Sequence, residues 1–167
     1  MSAPIRHIAE FNIGILRHGW DDPRIADFVN GLDRVNALAH RSPGFVWMLG
    51  DDDMEAAQLD AEGVLGGRPR TASTLSVWES ADALGHFVWN TVHRQYYARR
   101  GEWYDDAEQA PGPRMVLWHV DAGHRPTIAE AKARLDHLAE HGPSDHAFGW
   151  DAVKAQGWQA HRCGEAA

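Results

Sequence analysis

The segments GFVWMLG, from Gly44 to Gly50, and PRMVLWHVDAG, from Pro113 to Gly123, are apolar on alternate residues and also on the residues between them. On an extended chain, successive side chains point to opposite faces. Phe45, Trp47 and Leu49 therefore face one way and Val46 and Met48 the other, while Trp118 opposes Leu117. A sheet built from such strands must cover both of its surfaces. Two further strands complete the set. In IRHIAEFNIGILR, Phe11, Ile13 and Ile15 share one face and Glu10, Asn12 and Gly14 the other; TLSVWES supplies the remaining strand.

Helical stripes separate the strands. Asp22 is placed to cap a helix with Pro23 at its first position, and Ile25, Phe28, Val29, Leu32, Val35 and Leu38 follow at helical spacing until Ser42, Pro43 and Gly44 stop it. Ser80 is placed to cap a second helix, expected to run unbroken from Ala81 to Tyr104. Thr127 and Glu130 have capping-box spacing ahead of a third, which Gly142 and Pro143 end. Residues 50–72 are polar and glycine-bearing, and read as a loop holding at most a helical turn or an irregular hairpin.

The order β-α-β-β-α-β followed by an extra helix predicts an α+β fold, a ferredoxin-like antiparallel sheet with helices on one face. Residues 1–143 form the domain in this reading, and residues 144–167 an irregular appendage anchored by Phe148, Trp150 and Trp158. With helices on one face only, the other face is expected to meet a second copy of the chain, giving a homodimer.

Composition narrows the function. A net charge of −8 disfavours a phosphate backbone as partner, and Arg94, Arg99 and Arg100 are the only basic cluster, so no nucleic-acid binding is expected. No apolar run approaches the roughly 20 residues that span a bilayer. MSAPIRHIAEF lacks the pattern of a secretory signal, and the lone Cys163 fits a reducing compartment, so a cytoplasmic location is expected.

Chemistry-bearing residues concentrate in HFVWNTVHRQYYARRGEWY, His86 to Tyr104. On one continuous helix His86, His93, Tyr97 and Arg100 share an arc. His93 suits general acid–base work near neutral pH, or is a hydrogen-bonded histidine at the helix edge. Tyr97 is a donor to a substrate oxygen or a surface residue. Asn12 stands mid-strand, where an asparagine needs a partner for its amide: a ligand oxygen, or an internal hydrogen bond. Trp47, Trp78, Trp89, Trp103 and Trp118 are candidates for the wall of an aromatic-binding pocket, with packing as the alternative.

No metal site is expected. His137 and His141 are four residues apart but lack the glutamate of an H-E-x-x-H arrangement. GVLGGRPR lacks the context and lysine of a phosphate loop, Asp51 to Asp53 lack calcium-loop periodicity, and no G-x-S-x-G is present.

Three blocks, FNIGILRHGWDDPRIADFVNGLDRVNALAHRSPGFVW, LSVWESADALGHFVWNTVHRQYYARRGEWY and LWHVDAGHRPTIAEAKARLDHLAEHGP, resemble an uncharacterised bacterial domain-of-unknown-function family, number 3291, grouped with the antibiotic-biosynthesis-monooxygenase-like proteins. The resemblance runs from about Ile8 to Pro143. It implies a dimeric α+β barrel in which each subunit keeps a pocket between sheet and helices. It also implies a small-molecule-binding protein similar to cofactor-independent monooxygenases, acting on an aromatic or enolisable substrate. His93 would be the base, with Asn12 and Tyr97 stabilising the enolate oxygen. The alternatives are a non-catalytic binding module or a haem-binding protein. Haem-degrading members of that superfamily are similar around VWES and carry a first-strand asparagine, matched by Asn12. Counting from Trp78 places their pocket tryptophan at Phe87 and their haem-ligating histidine at Tyr97.

Overall fold

The computed structural model describes residues 3–155. Four strands, β1 (Arg6–Ile15), β2 (Phe45–Met48), β3 (Thr71–Trp78) and β4 (Met115–Asp121), form one sheet in the order β2-β3-β1-β4. Every neighbouring pair is antiparallel. Between β1 and β2 lies α1 (Ala26–Arg41); between β2 and β3, α2 (Asp51–Leu59); between β3 and β4, the run α3 (Ala81–Asn90), α4 (His93–Ala98) and α5 (Arg100–Trp103). After β4 come α6 (Ile128–His141) and α7 (Trp150–Ala155).

The helix boundaries follow local chemistry. The Asp22 side chain accepts from the Arg24 amide at 2.9 Å, ahead of a short 3-10 turn that leads into α1. Ser80 accepts from the Ala83 amide at 3.1 Å and Thr127 from the Glu130 amide at 3.1 Å. Each satisfies an N–H that the first turn of a helix leaves unpaired. Gly142, at φ 75°, ends α6 in a region that side chains avoid.

Strand alternation sorts the core into two layers. Ala9 and Phe11 of β1, Leu75 and Val77 of β3, and Val116, Trp118 and Val120 of β4 pack with Ala131, Leu135 and Leu138 of α6 and with Met54 of α2. On the other side Ile8, Trp78 and Leu117 pack with Val35, Leu38 and Ala39 of α1 and with Leu84 and Phe87 of α3. A third cluster, Leu16, Ile25, Phe28, Ala72 and Trp103, closes one end.

Three expectations are corrected. The second sheet face is not left open: α6 and α2 lie on it, so the apolar surface expected to require a second copy is covered within the chain. Residues 50–72 are not simply a loop, because α2 occupies Asp51–Leu59. Its three leading aspartates favour the positive end of a helix dipole. Its inward face is Met54 and Gln58, and the Gln58 side-chain oxygen accepts from the Ser73 amide and hydroxyl, both at 2.9 Å. A polar residue on the buried face hides the helical stripe. The helix expected over 81–104 breaks at Thr91, which is extended at φ −123° and ψ −175°. The Thr91 hydroxyl donates to the Phe87 carbonyl at 2.5 Å and accepts from the His93 amide at 3.2 Å, the local competition by which threonine interrupts helices.

Residues 144–155 hold more structure than an irregular appendage: Phe148 bridges to Leu117 of β4, and α7 follows with Val153 buried. Trp158 and Cys163 lie outside the described residues.

Candidate functional site

The sheet face beneath α1 and α3 carries a polar row inside an apolar layer. Cross-strand pairing sets Glu10 opposite Ser76 and Leu117, and Asn12 opposite Thr74 and Met115. Directly opposed residues of an antiparallel pair share a face, so Glu10, Asn12, Thr74 and Ser76 stand together.

Their side chains form one network. The Asn12 amide donates to Glu10 Oε1 at 2.6 Å, and its oxygen accepts from the Thr74 hydroxyl at 3.2 Å. Ser76 Oγ donates to Glu10 Oε2 at 3.3 Å and accepts from Trp78 Nε1 at 3.0 Å. Glu10 is 8 % exposed. Burial pushes its carboxyl up to about 7, against the opposing pull of the Asn12 and Ser76 hydrogen bonds. The desolvation of a carboxylate outweighs two neutral donors here. Near neutral pH the group therefore exists in both protonation states.

The row is closed at one end and accessible at the other. Ile8, Glu10, Ser76 and Trp78 are buried, whereas Asn12, Thr74 and Met115 are partly exposed. Beyond Asn12 on the same face, Gly14 sits against the Tyr104 ring so closely that a Cβ there would collide with it. Burial pushes the Tyr104 phenol up to about 12. It stays protonated near neutral pH, and among the described residues its hydroxyl has no hydrogen-bond partner.

The expected site residues fall into different neighbourhoods. Asn12 and Trp78 belong to this network. Trp47 and Trp118 pack on the opposite face, Trp118 donating to Glu130 Oε1 at 3.1 Å, so the sheet itself separates them from Trp78. Trp103 is buried in the end cluster against Phe28, at 5.5 Å between ring centroids. Trp89 lies between Tyr97 and Trp150, at 5.1 and 6.1 Å. The five tryptophans thus stand on both faces of the sheet, in the end cluster and beside Trp150.

His93 connects to the network only indirectly. Its ring lies 5.1 Å from Phe87, and Phe87 stacks on Trp78 at 5.1 Å. Burial lowers its pKa, and Nδ1 is 3.2 Å from the Val88 carbonyl. The neutral ring donates there and leaves Nε2 as an acceptor. Tyr97 is 40 % exposed, stacks on His93 at 6.5 Å and has the Arg100 guanidinium 4.1 Å over its ring. No contact among the described residues joins His93 or Tyr97 to Asn12.

The two positions matched to haem binding are Phe87 and Tyr97. Phe87 is buried and stacked on Trp78, while one side of the Tyr97 ring is covered by Arg100 and its neighbours are Trp89 and His93. Among the described residues, no cluster of three or more histidine, cysteine or acidic side chains is arranged to hold a metal.

Glu10, Thr74, Ser76 and Tyr104 join the candidate site from the structure and not from the sequence. The signal was the trio Glu10, Asn12 and Gly14 alternating on one side of β1. Alternation puts the three on one face, and nothing local says that distant helices will enclose Glu10 there.

Comparisons with known proteins add the following. No curated protein matches the chain. Two crystal structures are similar over much of it. SnoaB, a cofactor-independent oxygenase from Streptomyces nogalater, is 16% identical with a TM-score of 0.40, covering 77% of this chain and 100% of its own. A protein of unknown function from Nitrosomonas europaea is 11% identical with a TM-score of 0.42, covering 75% of this chain and 97% of its own. The family described as a domain of unknown function, DUF3291, matches residues 7–163, nearly the whole chain including every element of the polar row, and the chain belongs to that family.

Proposed function

We propose that this protein binds an aromatic or enolisable small molecule on the helix-covered face of its sheet, at the accessible row of Asn12, Thr74 and Met115, and transfers a proton there. The observation that supports this is the buried Glu10 carboxyl bonded to Asn12, held by the fold near the protonation midpoint that a neutral-pH base or acid needs. Glu10 takes the deprotonating part first assigned to His93, because Glu10 touches Asn12 and His93 does not. The second N–H of the Asn12 amide and the Tyr104 hydroxyl are the donors for the oxygen that becomes an enolate. Such donors are effective in a site from which water is excluded. Tyr97 then belongs to the outer wall with His93 and Trp89.

The oxidative form of this chemistry needs only dioxygen. Glu10 accepts the substrate proton, the enolate passes one electron to dioxygen, the two radicals combine, and reprotonation completes the conversion of R–H and O2 to R–OOH. A homodimer belongs to the same proposal, with the edge strand β2 and the exposed Val46, Leu59 and Val64 as the surface a second copy would cover. Sedimentation tests that part independently.

The deciding experiment is oxygen consumption and ligand binding with a panel of quinol-like and 1,3-dicarbonyl compounds. The Glu10→Gln variant should keep affinity within a few-fold and lose about 10²-fold or more in turnover, the usual range for removing a general base. Unchanged turnover in that variant would remove Glu10 from the mechanism. Binding that depends on Asn12 with no turnover of any compound in the wild type would leave a non-catalytic binding module.

A further inference from the structure

Between α1 and α4 lies an open cleft of about 360 Å³, lined by residues of both helices and by Arg99. It is built unusually for a helix–helix contact. Asp27, Asn30, Gly31 and Arg34 follow one another at helical spacing on α1, so the stripe turned toward α4 is polar where such a stripe is normally apolar. Only Gly31 is buried, and it admits the ring of Tyr96 so closely that any Cβ would overlap it. A glycine inside a helix costs about 1 kcal/mol relative to alanine. Here that cost brings the Tyr96 ring against α1 as the floor of the cleft.

The charged groups are unequally committed. Arg99 bonds Asp27 at 3.0 Å and Glu102 at 2.8 Å, and its guanidinium lies 4.8 Å from the Trp103 ring centroid, so it is neutralised and fixed as a wall. Arg34 has no hydrogen bond or ion pair among the described residues. Neither do the side-chain amides of Asn30 and Gln95, nor the Tyr96 hydroxyl. One planar cation without a partner among the described residues, two amides and a phenol thus line the cleft, contributed by both helices, on a chain whose net charge is −8.

We propose that this cleft is a second ligand site, distinct from the polar row on the sheet, and that it takes a small organic monocarboxylate. The Arg34 guanidinium offers two parallel N–H donors, the geometry that a carboxylate matches. Asn30 and Gln95 flank it with groups that both donate and accept, and the Tyr96 ring receives an apolar or aromatic body. A phosphate dianion fits less well, since the second cation in the cleft already faces two carboxylates.

The experiment is titration of the full chain, followed by NMR shifts of the Asn30, Gln95 and Arg34 side-chain N–H groups, with benzoate, acetate and inorganic phosphate as probes. Benzoate should bind saturably with a dissociation constant of about 1 mM or below, the weak range expected for one exposed ion pair plus ring contact. It should bind more tightly than acetate or phosphate. Arg34→Gln should weaken benzoate about tenfold, the equivalent of one charge-assisted contact. Arg41→Gln, at the far end of α1, should leave it unchanged. Thermal melts of both variants establish that they are folded. Benzoate binding that Arg34→Gln does not weaken, phosphate binding tighter than benzoate, or no saturation with any probe by about 10 mM would each overturn the proposal.

Discussion

The two faces of one sheet differ in kind, although the same strands supply both. From β1, Ala9 and Phe11 go to the side of α6 and α2, where nearly everything they touch is apolar. The residues between and beside them, Glu10 and Asn12, go to the side of α1 and α3, where a carboxyl, an amide and two hydroxyls sit among aromatic and aliphatic groups. A buried aromatic side chain contributes several kcal/mol by leaving water, whereas a satisfied neutral hydrogen bond nets about 1 kcal/mol. A buried carboxylate opposes folding whenever it is ionised. Both faces therefore contribute apolar burial, but the second also encloses a hydrogen-bonded polar row that adds little to stability.

The largest test of this division is truncation of an inward residue on each face. Trp118→Ala should cost about 3–5 kcal/mol, the range for deleting a buried aromatic side chain, and it also removes the donor to Glu130 Oε1. Ser76→Ala, on the other face, should cost roughly 1–2 kcal/mol. Urea unfolding of the two variants measures both. Equal losses would mean that the polar row is as structural as the apolar layer, and the comparison would fail.

Next in size is a pH effect confined to the polar face. The Glu10 carboxyl sits at about 7 in the folded protein against an ordinary 4.5, so between these values the folded chain holds a proton that the unfolded chain has released. Stability from this group is full below about pH 4.5 and is lost as the pH rises through 7, by roughly 3 kcal/mol in total. Glu10→Gln stays neutral throughout and should lack that decline. His93, lowered by burial, has the opposite sign: its contribution is present above its ordinary 6.5 and fades as the pH falls through its lower folded value. Wild-type and Glu10→Gln stabilities across pH 4 to 9, with His93→Gln alongside, separate the two slopes.

These differences explain how far the sequence could be read. Residues that act through their own neighbours were legible: the strands, the Asp22, Ser80 and Thr127 caps, and the stop at Gly142. The four strands and the helices over them make the α+β class readable from periodicity. Glu10 was not legible as a site residue, because its environment is made by α1 and α3, brought over β1 only by the whole topology. Gln58 concealed α2 for a related reason, its partner Ser73 lying 15 residues away on β3. Thr91 broke a helix whose apolar spacing continues past it, since a side-chain hydrogen bond does not show in periodicity. The five tryptophans could be read as pocket wall or as packing, because composition cannot say which side of the sheet Trp47, Trp78 and Trp118 take or what Trp89 and Trp103 pack against.

A smaller effect probes how tightly the polar face is shaped. Gly14→Ala pushes a methyl group into the Tyr104 ring and should cost about 1–3 kcal/mol, as overpacking does. Gly19→Ala, with open space around it, should stay within about 0.5 kcal/mol. Tyrosine fluorescence and thermal melts report the pair. A Gly14→Ala protein as stable as the Gly19→Ala one would mean that Tyr104 swings away freely, and its hydroxyl would then be a poor fixed donor.

The smallest expected effect sharpens the comparison most, because it is the same chemical change made on each face. Ser80 caps α3 above the polar face and Thr127 caps α6 above the apolar one, each through a 3.1 Å bond to an amide three residues on. Replacing either by alanine should cost about 1 kcal/mol, so stability alone does not tell them apart. Their effect on Glu10 should. The first turn of α3 brings Ala81 and Ala83 onto the cluster that contains Trp78, and Trp78 reaches Glu10 through Ser76. Fraying that turn admits water toward the carboxyl, and water favours its charged form. An NMR titration of the Glu10 side-chain carbon should therefore move from about 7 toward 4.5 in Ser80→Ala and stay in place in Thr127→Ala. Equal movement in both would place control of the carboxyl in the sheet as a whole, and the assignment of separate tasks to its two faces would no longer hold.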